Sequence, residues 1–364
     1  MDPIMKAIKS IQLFHVDLPL IRPYALSYKI FESFEPFLVC IETDDGTVRW
    51  GEQHTSPGSS SETRKDGWNF LATQARAVVG KPIDQAYECL QLKRAESPVA
   101  AAAFLNALDQ IVLPEQCQIP ESIHLPVLSA FSAITEKEIE AELQEKLNQG
   151  YTTLKIKVGA DAPRDRRRVE IIQRLIAGKG TIRVDANRAF SVSDAIEFCE
   201  VLDPSICELF EQPCDANDWK GNGDVAKVSP VPIMLDEPIC SLDDIDRAAA
   251  MYGVGFCKVK LKRFGSITAL EQAIKRAHEQ GLEIVLGDGL GSDINCYLEA
   301  VVSHRHLARA GEFNGCLKIR EESRLLGSSI GFSRGHMIIP ERYIPQPNTD
   351  TLQKHTVRSE LFSA

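Results

Sequence analysis

The sequence predicts an α/β fold with a (β/α)8-type TIM barrel as its larger part, and three observations predict it. Beyond residue 124, eight apolar strand-like runs alternate with helical stretches. Charged residues close consecutive runs at intervals of about 25 residues, the length of one strand-plus-helix unit. No G-x-G-x-x-G follows an early strand, which weakens the dinucleotide-binding form of the alternative pattern, an open doubly wound sheet.

Residues 1–123 have another pattern and read as a small α+β domain. A strand is expected over 11–20. Strand-like runs at 37–43 and 48–53 flank Asp44-Asp45-Gly46, a hairpin signal. Helices are expected over 62–79 and 99–112. Two polar or aromatic loops, 22–34 and 54–61, hang from this domain. In the barrel region, 124–323, the apolar runs are 126–131, 153–158, 182–184, 209–210, 232–235, 256–261, 283–286 and 308–313. Helical stretches lie between them at 136–148, 165–177, 192–202, 242–250, 267–280 and 295–303, with a weaker one at 219–228. The tail, 324–364, is irregular, with short strands near 330 and 337–339, and is expected to fold back on the first domain.

Composition sets the class. Hydrophobic residues make up 44% of the 364 and charged residues 25%, the mix of a globular protein. A net charge of −10 argues against a nucleic-acid or anionic-membrane partner. No apolar run is long enough to span a bilayer, and the first ten residues lack the apolar core of a signal peptide. Ten cysteines without a C-x-x-C pair read as reduced, mostly buried thiols, and a cytoplasmic location is the expectation.

The chemistry is written at the ends of the runs. The second ends Lys155-Ile156-Lys157, the third Asp185-Ala186-Asn187, the fourth Glu211-Gln212-Pro213 and the fifth Asp236-Glu237-Pro238; the sixth contains Lys258-Val259-Lys260. Barrel active sites are built at the C-terminal strand ends, so Asp185, Glu211 and Asp236 should converge from neighbouring strands. Three carboxylates in one concave site repel unless they bind a cation. Oxygen donors with no His or Cys nearby favour Mg2+, with Mn2+ as the alternative. Lys155 and Lys157, two apart on a strand, share the inward face. Strands two and six stand opposite in a ring of eight, so Lys157 and Lys260 could flank a metal-bound substrate from two sides. Such a site can remove a proton α to a carboxylate: the cation stabilises the enediolate, and a lysine neutralised by nearby positive charge takes the proton. Lys155 beside Lys157 supplies that charge. Singly, each group has an ordinary reading as a helix cap or a solvated strand face. Their recurrence at barrel spacing favours a site.

These ordered motifs, with Lys260 followed by Arg263-Phe264-Gly265-Ser266, resemble the muconate lactonizing enzyme subgroup of the enolase superfamily (the mandelate racemase/muconate lactonizing enzyme type) over nearly the whole chain. The resemblance implies that Asp185, Glu211 and Asp236 are magnesium ligands and that Lys157 and Lys260 are the acid/base pair. Asn187 and Glu237 would support the site. It also implies that residues 1–123 form a capping domain whose loops 24–34 and 54–61 lie over the barrel mouth, and that the chain is a homo-oligomer. The chain departs from the pattern at two places. Members often carry a Glu near the end of strand seven, where this chain has Gly287-Asp288-Gly289-Leu290-Gly291-Ser292-Asp293. That stretch is more like the one in proline-betaine epimerases, except that Leu290 stands where they have an aromatic residue. Dipeptide epimerases carry Asp-x-Asp at strand eight, where this chain has Glu312-Phe313-Asn314. Asp288 and Glu312 are candidates for gripping a cationic group of the substrate, and loop charges are the equal alternative.

The expected activity is Mg2+-dependent racemisation or epimerisation of a small carboxylate or amino-acid derivative. Cycloisomerisation and dehydration are the alternatives within the superfamily. A non-catalytic metal-binding scaffold is the alternative outside it; retention of three carboxylates and two opposed lysines speaks against that.

Overall fold

The computed structural model describes residues 6–26, 29–56 and 62–364. The N-terminal part opens with β1 (Ile8–Val16), β2 (Leu18–Leu26), β3 (Lys29–Phe34), β4 (Phe37–Thr43) and β5 (Val48–Gln53). Helices α1 (Arg64–Val78), α2 (Ile83–Lys93), α3 (Pro98–Val112) and α4 (Pro114–Cys117) follow. The strand expected over 11–20 is two strands. It breaks at Asp17, because β1 pairs with β4 whereas β2 turns away to pair with β3. The stretch 22–34, expected as a loop, therefore belongs largely to an antiparallel hairpin. Its two prolines, Pro19 and Pro23, read as breakers but sit where the register slips, between Pro19 and Tyr24.

Helix α3 packs on β5 at unusually short range. Ala100, Ala101, Ala102 and Ala103 are fully buried, and a Cβ on Gly51 would meet the Ala103 carbonyl oxygen at 2.0 Å. Only small residues on both sides permit that approach.

The barrel region follows as β6 (Ile123–Pro126), β7 (Ser129–Phe131), α5 (Glu136–Asn148), β8 (Thr153–Lys157), α6 (Ala162–Ile176), β9 (Thr181–Asp185), α7 (Val192–Cys199), β10 (Cys207–Glu211), α8 (Trp219–Val228), β11 (Ile233–Leu235), α9 (Leu242–Ala249), β12 (Val254–Val259), α10 (Leu261–Phe264), α11 (Ile267–Glu279), β13 (Glu283–Leu286) and α12 (Asp293–His306). Local signals set the helix starts: Thr135 and Glu138 form a capping box on α5, and Asp161, Ser191, Ser241 and Ser266 cap α6, α7, α9 and α11. Strands β7 to β13 form one parallel sheet in sequence order. The ring closes through residues 310–313, which are too briefly paired to be a strand. Gly311 exchanges backbone hydrogen bonds with Pro126 and Leu128 on one side, and Glu312 N donates to Leu286 O on the other. The run expected at 126–131 is also shorter in the barrel, because Ile123–Pro126 pairs instead with β15 (His336–Ile339) of the hairpin it makes with β14 (Gly331–Ser333). Last come α13 (Thr349–His355) and β16 (Thr356–Ser363), which pairs with β1 so that the N-terminal sheet runs β16-β1-β4-β5. No helix among the described residues is long and apolar enough to cross a membrane.

Leu209, Met234, Phe256 and Val285 form an apolar layer inside the barrel. Two residues further along the same inward faces stand Glu211, Asp236 and Lys258, so the strand period itself lifts charge to the C-terminal mouth.

The N-terminal part is fastened to the barrel by buried carboxylates at helix starts. Glu52 of β5 accepts from Ser292 N at 2.6 Å, Asn295 N at 2.9 Å and the Ser292 hydroxyl. Asp109 of α3 accepts from Ile267 N at 2.6 Å. Burial pushes both carboxyls up to about 7. Glu52→Ala strands three donors in a dry interface. Each costs about 1–3 kcal/mol, so we expect a loss of about 3 kcal/mol in unfolding free energy, read from the denaturant midpoint. A change under about 0.5 kcal/mol would show that the contact is dispensable.

Candidate active site

The C-terminal ends of β8, β9 and β10 are in register: Lys157 lies opposite Asp185, and Asp185 opposite Glu211. Lys157 Nζ is 2.5 Å from Asp185 Oδ2 and also donates to Asn187 Oδ1. Lys155 Nζ, below it, lies 2.9 Å from Asp185 and 2.8 Å from both Glu211 and Glu312. Across the mouth, Lys260 Nζ is 3.0 Å from Asp236 and 3.4 Å from Asp288. Arg263 holds Asp236 from the other side at 2.8 Å. Glu237 is met by Arg188 at 3.3 Å.

Backbone strain marks the same place. Asn187, Arg188 and Gln212, none of them glycine, have φ of 43°, 70° and 37°. Such conformations cost about 1–3 kcal/mol each and persist where the surroundings enforce them. Asn187 N donates to Asp185 Oδ1 at 2.8 Å, and the Gln212 side chain accepts from Asp236 N at 2.9 Å. The twisted residues thus hold the neighbouring carboxylates in place.

Lys155, Lys157, Asp185, Asn187, Asp236, Glu237, Lys260, Asp288 and Glu312 line one cavity. Glu211 lies beneath it, fully buried, against Lys155. Lys258, Arg263, Tyr24 and Leu290 complete the lining, and sequence reasoning did not single them out as site residues. A signal for Lys258 existed: it stands two before Lys260, the same spacing that brought Lys155 in with Lys157. Tyr24 comes from the β2–β3 hairpin, which is tied to the segment after residue 313 through Arg320 N and Pro19 O at 3.0 Å. That supports the expectation that the 24–34 segment reaches the mouth. Of the other loop, His54 packs beside the Phe31 and Phe34 rings, and residues 57–61 lie outside the described residues, as do 27 and 28.

Burial is the largest influence and works to lower Lys157 and Lys260, but the surrounding anionic groups together, Asp185 foremost at Lys157 and Asp236 at Lys260, hold both above the ordinary lysine range. Lys155 does act to lower Lys157, as the K-x-K spacing implies, but it is the weaker influence. Glu211 goes the other way: burial and the Asp185 charge push it up to about 7.

Among the described residues, no three Asp, Glu, His or Cys side chains form a ready ligand cluster, since ammonium groups stand between the carboxylates. The donor chemistry nonetheless fits a hard divalent cation. No imidazole or thiol lines the cavity, and the carboxylates come from adjacent strands. Among the described residues the Glu211 oxygens meet only the Lys155 ammonium at 2.8 Å and Lys258 at 3.8 Å, which leaves this buried carboxylate with spare acceptor capacity.

Comparison with known proteins identifies the family. The enolase C-terminal domain-like family matches residues 138–343. The N-succinyl-L-Arg/Lys racemase of Bacillus cereus is 24% identical, covering 97% of this chain and 99% of its own. Muconate cycloisomerase 1 of Acinetobacter baylyi is 27% identical over 80% of this chain and 83% of its own. In fold, the chain is similar to a dipeptide epimerase from Cytophaga hutchinsonii, solved with Mg and the dipeptide D-Ala-L-Val, at a TM-score of 0.86 and 20% identity over 98% of this chain and 99% of that one. The chain belongs to the enolase C-terminal domain-like family, among the enolase-superfamily enzymes of the mandelate racemase/muconate lactonizing type.

Proposed function

We propose that this protein removes and returns the proton α to the carboxylate of a small acid, and that it racemises or epimerises that carbon. The observation that carries this reading is the placement of Lys157 and Lys260. Lys157 ends the second strand of the ring and Lys260 directly follows the sixth, on opposite sides of one cavity, with carboxylates beside each. Asp185, Glu211 and Asp236 would hold Mg2+, with Mn2+ as the alternative. When bound, the ion supplies positive charge for the carboxylate oxygens, on which negative charge develops as the α-proton leaves.

The chain's own residues do the rest. Asp185 and Asp236, once committed to a cation, no longer hold Lys157 and Lys260 protonated. Burial and the adjacent ammonium of Lys155 or guanidinium of Arg263 then favour the neutral amine. One lysine Nζ takes the proton from one face of the α-carbon. The opposed lysine, protonated, delivers a proton to the other face, which inverts the centre. Asn187 holds the Lys157 ammonium from the side, and Tyr24 and Leu290 add apolar surface to the cavity wall.

A second reading, cycloisomerisation, is favoured by the similarity to muconate cycloisomerase 1. It needs one lysine as base and leaves the other as a fixed cation. The test is α-proton exchange in D2O with the Mg2+-loaded protein, across N-acyl amino acids, dipeptides and unsaturated dicarboxylates. Deuterium at the α-carbon with loss of optical purity supports the proposal. Conversion of a dicarboxylate to a lactone without stereoinversion of any acid moves the reading to cycloisomerisation. No exchange with any acid overturns both.

A further inference from the structure

We infer that the far end of the substrate carries an anionic or strongly hydrogen-bond-accepting group rather than a cation, and that Lys318 recognises it; this rests on the α-carboxylate reading above. Both carboxylates that could take a cationic side chain are already committed. Glu312 is buried between Lys155, at 2.8 and 3.1 Å, and Lys258. Asp288 is buried between Lys262 at 2.6 Å and Lys260 at 3.4 Å. An arriving ammonium would have to displace two lysines from either group, and breaking a buried pair leaves a charge uncompensated.

Lys318 is the opposite case. It lies on the 3₁₀ turn Gly315–Lys318, just beyond the segment that closes the barrel. Its ammonium sits 4.8 Å from the centre of the Tyr24 ring, and that ring lines the cavity. One of its three N–H groups goes to Gly289 O at 2.8 Å, on the loop that carries Asp288 and Leu290. No carboxylate among the described residues lies within ion-pair distance of it. Lys318 is half-buried. Through Tyr24 and Gly289 it joins the β2–β3 hairpin to the barrel rim beside the cavity, with two donors left over among the described residues. A partly desolvated ammonium with spare donors beside an aromatic wall suits a carboxylate or acyl oxygen at the end of a short apolar linker.

The test compares N-acetyl amino acids of matched length with Glu-, Gln- and Lys-type side chains on the Mg2+-loaded protein. Binding is measured by calorimetry and turnover by α-proton exchange. The expected order is anionic, then neutral, then cationic, with at least a tenfold preference for the Glu-type over the Lys-type acid. Lys318→Gln should raise KM for the Glu-type acid about tenfold, raise it less for the Gln-type acid and leave kcat within twofold; Lys318→Arg should keep the preference. Tighter binding of the Lys-type acid, or an unaltered KM in Lys318→Gln, overturns the inference. Because calorimetry reads the charge preference without turnover, loss of exchange with every acid counts against the proposed reaction and leaves the binding order to decide this point separately.

Discussion

Replacing Lys260 or Lys157 with Ala should lower net turnover by about 100- to 10,000-fold, the range a positioned acid or base contributes. Lys157 and Lys260 are the more exposed of the four lysines that line the cavity, whereas Lys155 and Lys258 are buried and bound to Glu312. The two substitutions should leave the fold intact. Lys157 is partly exposed, and Lys260 ends a strand whose core partners are apolar. Lys260→Ala also frees Asp236 from one of its two cations, but Arg263 remains at 2.8 Å. Steady-state racemisation with unfolding curves for each variant checks this. A loss under threefold in either variant would remove that lysine from the chemistry.

The second large effect concerns the cation. Chelation should abolish turnover, and excess Mg2+ should restore it. Glu211→Gln should weaken Mg2+ binding by tenfold or more while keeping the shape of the side chain. The reason lies in the protein itself. Glu211 is fully buried, its oxygens meet only the Lys155 and Lys258 ammoniums among the described residues, and burial and Asp185 outweigh those two in opposing its charge. A buried acceptor in that condition is stabilised most by a hard cation. Binding to the folded state alone also raises the unfolding temperature, a readout independent of activity. Wild-type protein should show that rise with Mg2+ and Glu211→Gln should not. Full turnover in chelator, or an equal rise in both proteins, contradicts the assignment.

Most of the barrel was legible because it repeats. A strand of five residues delivers its last inward side chain to the rim, so Lys157, Asp185 and Glu211 could be aligned by spacing, and β8, β9 and β10 put them in one row. The closing segment was less legible. Residues 308–313 look like a strand in composition, but their pairing shrinks to Gly311 and Glu312. The β2–β3 hairpin was not legible, since 22–34 reads as a polar or aromatic loop, and its pairing slips in register between Pro19 and Tyr24. Electrostatic state was the least legible of all. Sequence spacing places Lys155 next to Lys157, where it acts to lower it, but only the three-dimensional arrangement shows that Asp185 faces both ammoniums and works the other way. The same limit applied to Asp288 and Glu312. As isolated acidic residues they invited a cationic substrate; in the fold, each is held by two lysines.

Stereospecific exchange in the single-lysine variants tests the central claim most directly. Each enantiomer of a turned-over acid is incubated in D2O with Lys157→Ala or Lys260→Ala and Mg2+, and deuterium at the α-carbon is followed by NMR. With two opposed bases, each variant should still exchange the α-proton of one enantiomer, a different one in each case, while neither interconverts the pair. Exchange of both enantiomers by one variant, or of neither by both variants while wild-type protein racemises, would contradict two opposed lysine bases.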